Sequence, residues 1–264
     1  MKKPWTILLT LALLACLCGC QLRNRMPSEL AIPTGDDAPK ATTVPETSQP
    51  AATAAKPQKQ TGKAAVKEIF TRQGSYTDKN GRVWQYDYHI PYVDLDGAGA
   101  QRCNREIETK FQAAVNAAML TMEELEPLST VRITYETYQN GSVLTLVVTR
   151  VNGQDQNLYG IYNLDADTGD AVDFSQILTQ KELSESEFLD KTRTALGSLF
   201  ESLYADQKQS EALAYETQYQ RTVSGDNYGT DMPMYLDEEA RLHVIATVYS
   251  VGGSGSETYD LVID

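Results

Sequence analysis

The side chains able to do chemistry in this 264-residue chain are few and scattered. His89 and His243 are its two histidines, each isolated in a strand-like run with no second metal ligand at helical spacing beside it. The HExxH arrangement, which sets two imidazoles and a general base on one helix face, does not occur. A serine stands among glycines in Val251-Gly252-Gly253-Ser254-Gly255-Ser256, but the G-x-S-x-G elbow needs glycine where Ser256 stands. That run reads as a turn. The densest polar group is Asn163-Leu164-Asp165-Ala166-Asp167-Thr168-Gly169-Asp170, where oxygen-bearing side chains recur at every second residue. Alternate residues of a tight loop can converge on calcium, yet the EF-hand pattern needs glycine at its sixth position and glutamate at its twelfth. Thr168 and Phe174 occupy those places, so a hairpin turn is expected, with no metal and no cofactor. No carboxylate pair for glycoside hydrolysis stands out among the many acidic residues, and no catalytic residue is expected.

The four cysteines are Cys16, Cys18, Cys20 and Cys103. Met1, Lys2 and Lys3 precede an apolar run over residues 5–17, the order of regions found in a secretory signal. Leu17-Cys18-Gly19-Cys20 resembles the lipobox of bacterial lipoproteins. The resemblance implies diacylglycerol on the Cys20 thiol, with residues 1–19 removed as a signal peptide. Leu13-Leu14-Ala15-Cys16 is a second candidate, but cleavage there would shorten the apolar region and leave two more cysteines, so Cys20 is preferred. An uncleaved membrane anchor is the alternative, and the apolar run falls short of the ~20 residues that span a bilayer. Acyl chains would hold the chain at ~0.8 kcal/mol per buried methylene. The expected location is the extracytoplasmic face of a cell membrane. Gln21 is no retention aspartate, which in a two-membrane cell implies the outer membrane. Cys103 would then be the one free thiol, leaving no intramolecular disulfide, and its place on an apolar helical stripe marks a packing residue.

Elements that could position a site begin beyond residue 62. Residues 20–62 are rich in Pro, Ala, Thr, Ser, Gln and Lys, a composition that buries no core and predicts a disordered tether reaching ~3 Å per extended residue. Residues 63–264 are expected to form one α+β module, with a sub-boundary near residue 153 if it divides into two small lobes. Residues 66–70 and 82–92 alternate as strands about the turn Asp78-Lys79-Asn80-Gly81. Cys103, Ile107, Phe111, Val115, Ala118, Met122 and Leu125 recur at three- and four-residue steps, an amphipathic helix. Residues 131–137 and 143–151 flank Asn140-Gly141, a strong hairpin signal, and a strand over 159–164 follows. Either Thr179-x-x-Glu182 or Ser184-x-x-Glu187 could cap a second helix burying Leu189, Leu196, Leu199, Phe200 and Leu203. A third short helix over 210–219 and strands over 234–237, 241–249 and 258–263 complete an antiparallel sheet with helices on one face.

Charge narrows the partners. The formal charge of -13 becomes -15 once Lys2 and Lys3 leave with the signal, which makes nucleic acid and anionic lipid poor ligands. An acidic module attracts basic proteins, among which wall-lytic enzymes and cationic peptides are common outside cells. Acidity that serves solubility alone is the competing explanation.

Three segments together resemble one known extracellular domain. They are Ile90-Pro91-Tyr92 leading to Asn104-x-x-Ile107, then Tyr135-x-x-Tyr138-x-Asn140, then Tyr162-Asn163-x-Asp165-x-x-Thr168-Gly169 followed by Phe174-x-x-Ile177-Leu178. A glycine turn and final strand over residues 252–263 complete the pattern. The domain is the one shared by the lysozyme-binding anti-sigma-V factor of Gram-positive bacteria and the non-catalytic region of a peptidoglycan deacetylase. The resemblance implies a sheet-and-helix module that in one member binds a lysozyme. A lipobox-like segment stands here in place of a transmembrane helix, and neither a sigma-binding segment nor a deacetylase domain accompanies it. Neither of those activities is therefore expected.

The leading expectation is a non-catalytic cell-surface lipoprotein whose acidic module binds a wall-associated protein or glycan, a basic lytic enzyme such as lysozyme among the candidates. One alternative is a structural envelope lipoprotein with no ligand. Another is a peptidoglycan-acting enzyme or accessory, which predicts a deep pocket holding carboxylates of raised pKa. The expected contact surface is the aromatic and acidic stretch of Tyr215, Tyr219, Asp226, Tyr228 and Asp231, because tyrosine offers rigid area with a hydrogen-bonding tip.

Overall fold

The structure, a computed structural model, describes residues 65–153, 156–253 and 255–263. The expected signal peptide, Cys20, Cys16 and the tether over 20–62 lie outside the described residues. The rest is α+β, as composition and periodicity predict, but its eight strands form two sheets rather than one.

The first sheet has the order β1 (Val66–Thr77), β2 (Val83–Val93), β3 (Thr130–Asn140), β4 (Val143–Asn152), β5 (Asn157–Asp165). Its neighbours are antiparallel except β2 and β3, which run parallel through Asp87 with Arg132 and Tyr88 with Ile133. A parallel pair needs a long crossover. The crossover is the helical segment α1 (Ala98–Glu106), a π-helical turn (Ile107–Gln112) and α2 (Ala113–Glu123). Cys103, Ile107, Phe111, Val115 and Ala118 on its inner face are buried with Tyr88, Ile133, Leu146 and Val148 of the sheet. Repeated four-residue steps would drift about 40° each around a regular helix. The wide turn absorbs that drift. Gly160 of β5 lies under the Phe111 ring, where a Cβ would stand 2.9 Å from two ring atoms.

The second sheet, β6 (Met234–Leu236), β7 (Leu242–Tyr249) and β8 (Ser256–Ile263), is antiparallel in that order. The helices α3 (Phe174–Gln180), α4 (Glu185–Tyr204), α5 (Gln207–Ser210) and α6 (Ala212–Thr222) precede it. Phe188, Leu196, Phe200 and Tyr215 from the helices pack on Leu242, Val244, Ala246 and Val248 of β7. Of the two candidate caps, Ser184 is used: its hydroxyl accepts from the Glu187 amide while Glu187 bonds back to Ser184. Asp173 caps α3 in the same way with Gln176.

The remaining faces of the two sheets meet, with Val147, Tyr138, Tyr159 and Ile161 of the first against Tyr235 and Ile245 of the second. The order of layers is therefore helix, sheet, sheet, helix. Residues 143–148 of β4 are all buried because both faces of that strand are covered. The expected sub-boundary near residue 153 falls instead in the turn between β4 and β5, two paired strands. The chain leaves the first core only after β5, by way of residues 165–172. There Asp165 accepts from the amides of Asp167 and Thr168 at 3.0 and 2.8 Å, and Gly169, at φ +77°, packs against Ala100. The alternating oxygen side chains thus make the expected turn, and the Asp165 carboxylate serves that turn's own backbone.

Candidate functional site

The expected contact stretch does not form one surface. Tyr215 is buried, meeting the Phe200 ring edge-on at 5.1 Å, and Tyr219 meets the same ring at 5.6 Å. Both belong to the core beneath α4 and α6. Their spacing of four, continued to Val223, is the apolar face of a helix, which is the signal that should have placed them inside. Tyr228 is half-buried against the same core, leaving Asp226 and Asp231 exposed on the loop.

A different constellation forms where the sheets meet, and it starts from the tight turn between β6 and β7. Asp237 there is 4% exposed; its Oδ1 accepts from the amides of Glu239 and Arg241, and its Oδ2 from Arg241 Nε at 2.6 Å. Two residues along β7, His243 points toward the first sheet with Nε2 3.0 Å from Asp237 Oδ2 and Nδ1 2.9 Å from Asp260 Oδ1. Tyr235 donates to the other oxygen of Asp260 at 2.6 Å. Three rings stack in a column: Tyr138 of β3 lies 5.7 Å from Tyr235, which lies 4.5 Å from His243. Tyr138 donates to Glu136 at 2.6 Å. Further polar ties fasten the layers, with Asn140 donating to the Asp237 carbonyl at 2.8 Å and Asn163 to the Met234 carbonyl at 2.7 Å.

The charge state follows from hydrogen-bond bookkeeping. A carboxylate only accepts, so an imidazole held between two carboxylates must carry a proton on each nitrogen. Burial opposes that charge on His243, but the hydrogen bonds it donates to Asp260 and Asp237 outweigh it and its pKa lies above the usual histidine value. Burial likewise opposes ionisation of Asp237, yet hydrogen bonds from Arg241 and His243 hold its pKa down at about 2. The Tyr235 and Tyr138 hydroxyls are pushed up, first by burial and then by their carboxylate partners, and remain protonated donors. His89 repeats the motif on β1 and β2, with Glu68 at 2.6 Å and Asp87 at 2.9 Å on its two nitrogens, and its pKa is also raised against the effect of burial. Both histidines are therefore charged fasteners. With both nitrogens committed, neither has a lone pair to serve as a general base. The flanking carboxylates approach opposite sides of each ring, and among the described residues no three His, Cys, Asp or Glu side chains converge as a metal site.

Asp260 also faces a cleft of about 570 Å3 between the beginnings of β5 and β8, lined by Asn157, Tyr159, Glu257 and Tyr259 among others. A second cleft, of about 500 Å3, surrounds Trp84. Arg82 covers that indole at 3.9 Å and Asp78 accepts its N–H at 3.0 Å, so its aromatic face is already occupied. Sequence reading missed the His243 group because its members stand at positions 138, 235, 237, 243 and 260, joined only by the pairing of strands. Asp87 and His89, two apart on one strand, were within reach of it.

Comparison with protein-family models and with curated proteins gives no match to this chain.

Proposed function

We propose that the chain is a non-catalytic, surface-tethered binding module for a basic extracellular protein, with wall-lytic enzymes of the lysozyme kind as the best-fitting class. The observation that carries this reading is charge: residues 65–264 contain 32 Asp and Glu against 15 Lys and Arg. Such a surplus steers cationic partners at long range and repels nucleic acid and anionic surfaces. The N-terminal pattern ending at Cys20 supports display on the extracytoplasmic face of a membrane through lipid. The resemblance of residues 90–107, 135–140 and 162–178 to a lysozyme-binding domain supports the choice of partner. The acid–base alternative wants a carboxylate of raised pKa in a pocket, whereas Asp78, Asp173, Glu187 and Asp237 are all shifted downward. The test is capture of the soluble chain, residues 21–264, by immobilised lysozyme beside an equally basic protein without lytic activity. Saturable binding that prefers lysozyme supports the reading. Equal capture by both, abolished at physiological salt, removes it and leaves the ligand-free envelope lipoprotein in front.

A further inference from the structure

The first sheet ends in two unlike edges. β1 carries Lys67, Glu68 and Arg72, and its register is broken by a bulge between Glu68 and Phe70, devices that discourage another strand from pairing. β5 has none of these: from Asn157 to Leu164 it contains no charged residue and no proline, and its pairing with β4 runs without a bulge. The outward backbone groups can be assigned from the ladder. Asn152 donates to the Gln156 carbonyl across the β4–β5 turn, so hydrogen-bonded pairs recur at Leu158, Gly160 and Tyr162. The N–H and C=O of Asn157, Tyr159, Ile161, Asn163 and Asp165 then point away from β4. Asn163 and Asp165 confirm the phase, since the Val172 amide donates to the Asn163 carbonyl and the Asp165 amide donates to the Asp170 carbonyl. No such cover reaches Asn157, Tyr159 or Ile161 among the described residues.

The open stretch adjoins the 570 Å3 cleft, whose far wall is β8 with Glu257 and Asp260. None of the residues lining the cleft is Lys, Arg or His. Leu158, 48% exposed, lies on the opposite face of β5 and offers apolar contact beside the edge. We propose that the edge of β5 over Asn157, Tyr159 and Ile161 is a strand-addition site. It takes an extended, basic segment of the partner as a sixth strand of the first sheet, with cationic side chains set against Glu257, since Asp260 is already paired with His243. Main-chain hydrogen bonds supply the attachment, and side chains at alternate positions select the ligand. A second copy of the chain fits poorly, because its own acidic surplus would be brought against the same wall. The proposal rests on the reading of the chain as a binder of basic proteins and names how such a partner is held.

The test uses residues 21–264 and a fluorescent peptide of about ten residues alternating lysine with valine or threonine. Two controls accompany it: the same peptide with alternate backbone nitrogens methylated, and one with glutamate for lysine. The expected result is saturable binding that slows hydrogen exchange at the amides of Asn157, Tyr159 and Ile161, at least about tenfold weaker for the methylated peptide, equal to a loss of about 1.4 kcal/mol. The glutamate peptide should not bind, and Glu257→Gln should weaken the lysine peptide by about threefold, the scale of one solvent-exposed ion pair. Equal binding of the methylated peptide, or binding that leaves those three amides fast, overturns the proposal. Slow exchange before any peptide is added overturns it too. It assigns the edge to the chain's own residues 21–62 if their removal restores fast exchange, and to a second copy if dilution does. Capture of lysozyme without protection of β5 would leave the binding module standing and reject this site. Protection of β5 by the peptide without capture of any basic protein would do the reverse.

Discussion

Replacing His243 by alanine should destabilise the chain strongly at pH 6 and less at pH 9, the direction set by its raised pKa. The imidazolium sits between Asp237 and Asp260 with its side chain 12% exposed, so its removal strands two partly buried carboxylates. Breaking a buried ion pair costs about 3–5 kcal/mol, and the low end applies because Asp237 keeps Arg241 and Asp260 keeps Tyr235. A loss of about 3 kcal/mol in a domain of this size lowers Tm by about 9 °C. The sign of the pH effect follows from linkage. His243 has a folded-state pKa above its unfolded value, so its contribution is complete below about pH 6.5 and disappears as pH rises through the folded pKa. The variant lacks that titration, while His89 titrates in both proteins and cancels. Urea unfolding of both proteins at the two pH values measures the difference directly. An equal gap at pH 6 and pH 9, or a gap that widens with pH, would refute the assignment of His243 as a charged fastener between the sheets.

Three further outcomes test the packing. Gly160→Ala should cost about 1–3 kcal/mol in urea unfolding, because the new methyl overlaps the Phe111 ring. Tyr215→Phe should be neutral or stabilising, since the buried hydroxyl bonds to no protein group, whereas Tyr215→Ala should cost about 3–5 kcal/mol in the same assay. The Cys103 thiol, its pKa pushed up to about 12 by burial, should resist a disulfide reagent in the folded chain and react at once in denaturant. Rapid reaction without denaturant would contradict its place beneath α1.

Much of the fold was legible because local rules dominate it. The turns at Asp78-Lys79-Asn80-Gly81 and Asn140-Gly141, the crossover helix and the Ser184 cap each follow from a few neighbouring residues. The split into two sheets was harder to read. Alternation in residues 234–263 announces strands without naming their partners, since pairing is a long-range property. One clue was available in Val143-Leu144-Thr145-Leu146-Val147-Val148, whose near-continuous apolar run signals a strand covered on both faces. That run implies a second layer over the first sheet. The contact stretch failed for a related reason: Tyr215 and Tyr219 were weighed by side-chain chemistry rather than by their helical spacing, and the spacing prevailed. The His243 group owes nothing to local sequence except the Asp237 turn. Its other members arrive from β3, β6, β7 and β8, and no motif of fixed spacing could announce them.

The central claim is that the acidic module binds a basic lytic protein by shape as well as by charge. Titration of residues 21–264 with lysozyme from about 0.05 to 0.3 M salt tests it, because screening removes the long-range part of the attraction and leaves the packed contact. The expected affinity falls with salt but stays measurable at about 0.15 M, with one lysozyme bound per chain, while an equally basic non-lytic protein is lost. Affinities for the two proteins that fall together to nothing, without fixed stoichiometry, would contradict it.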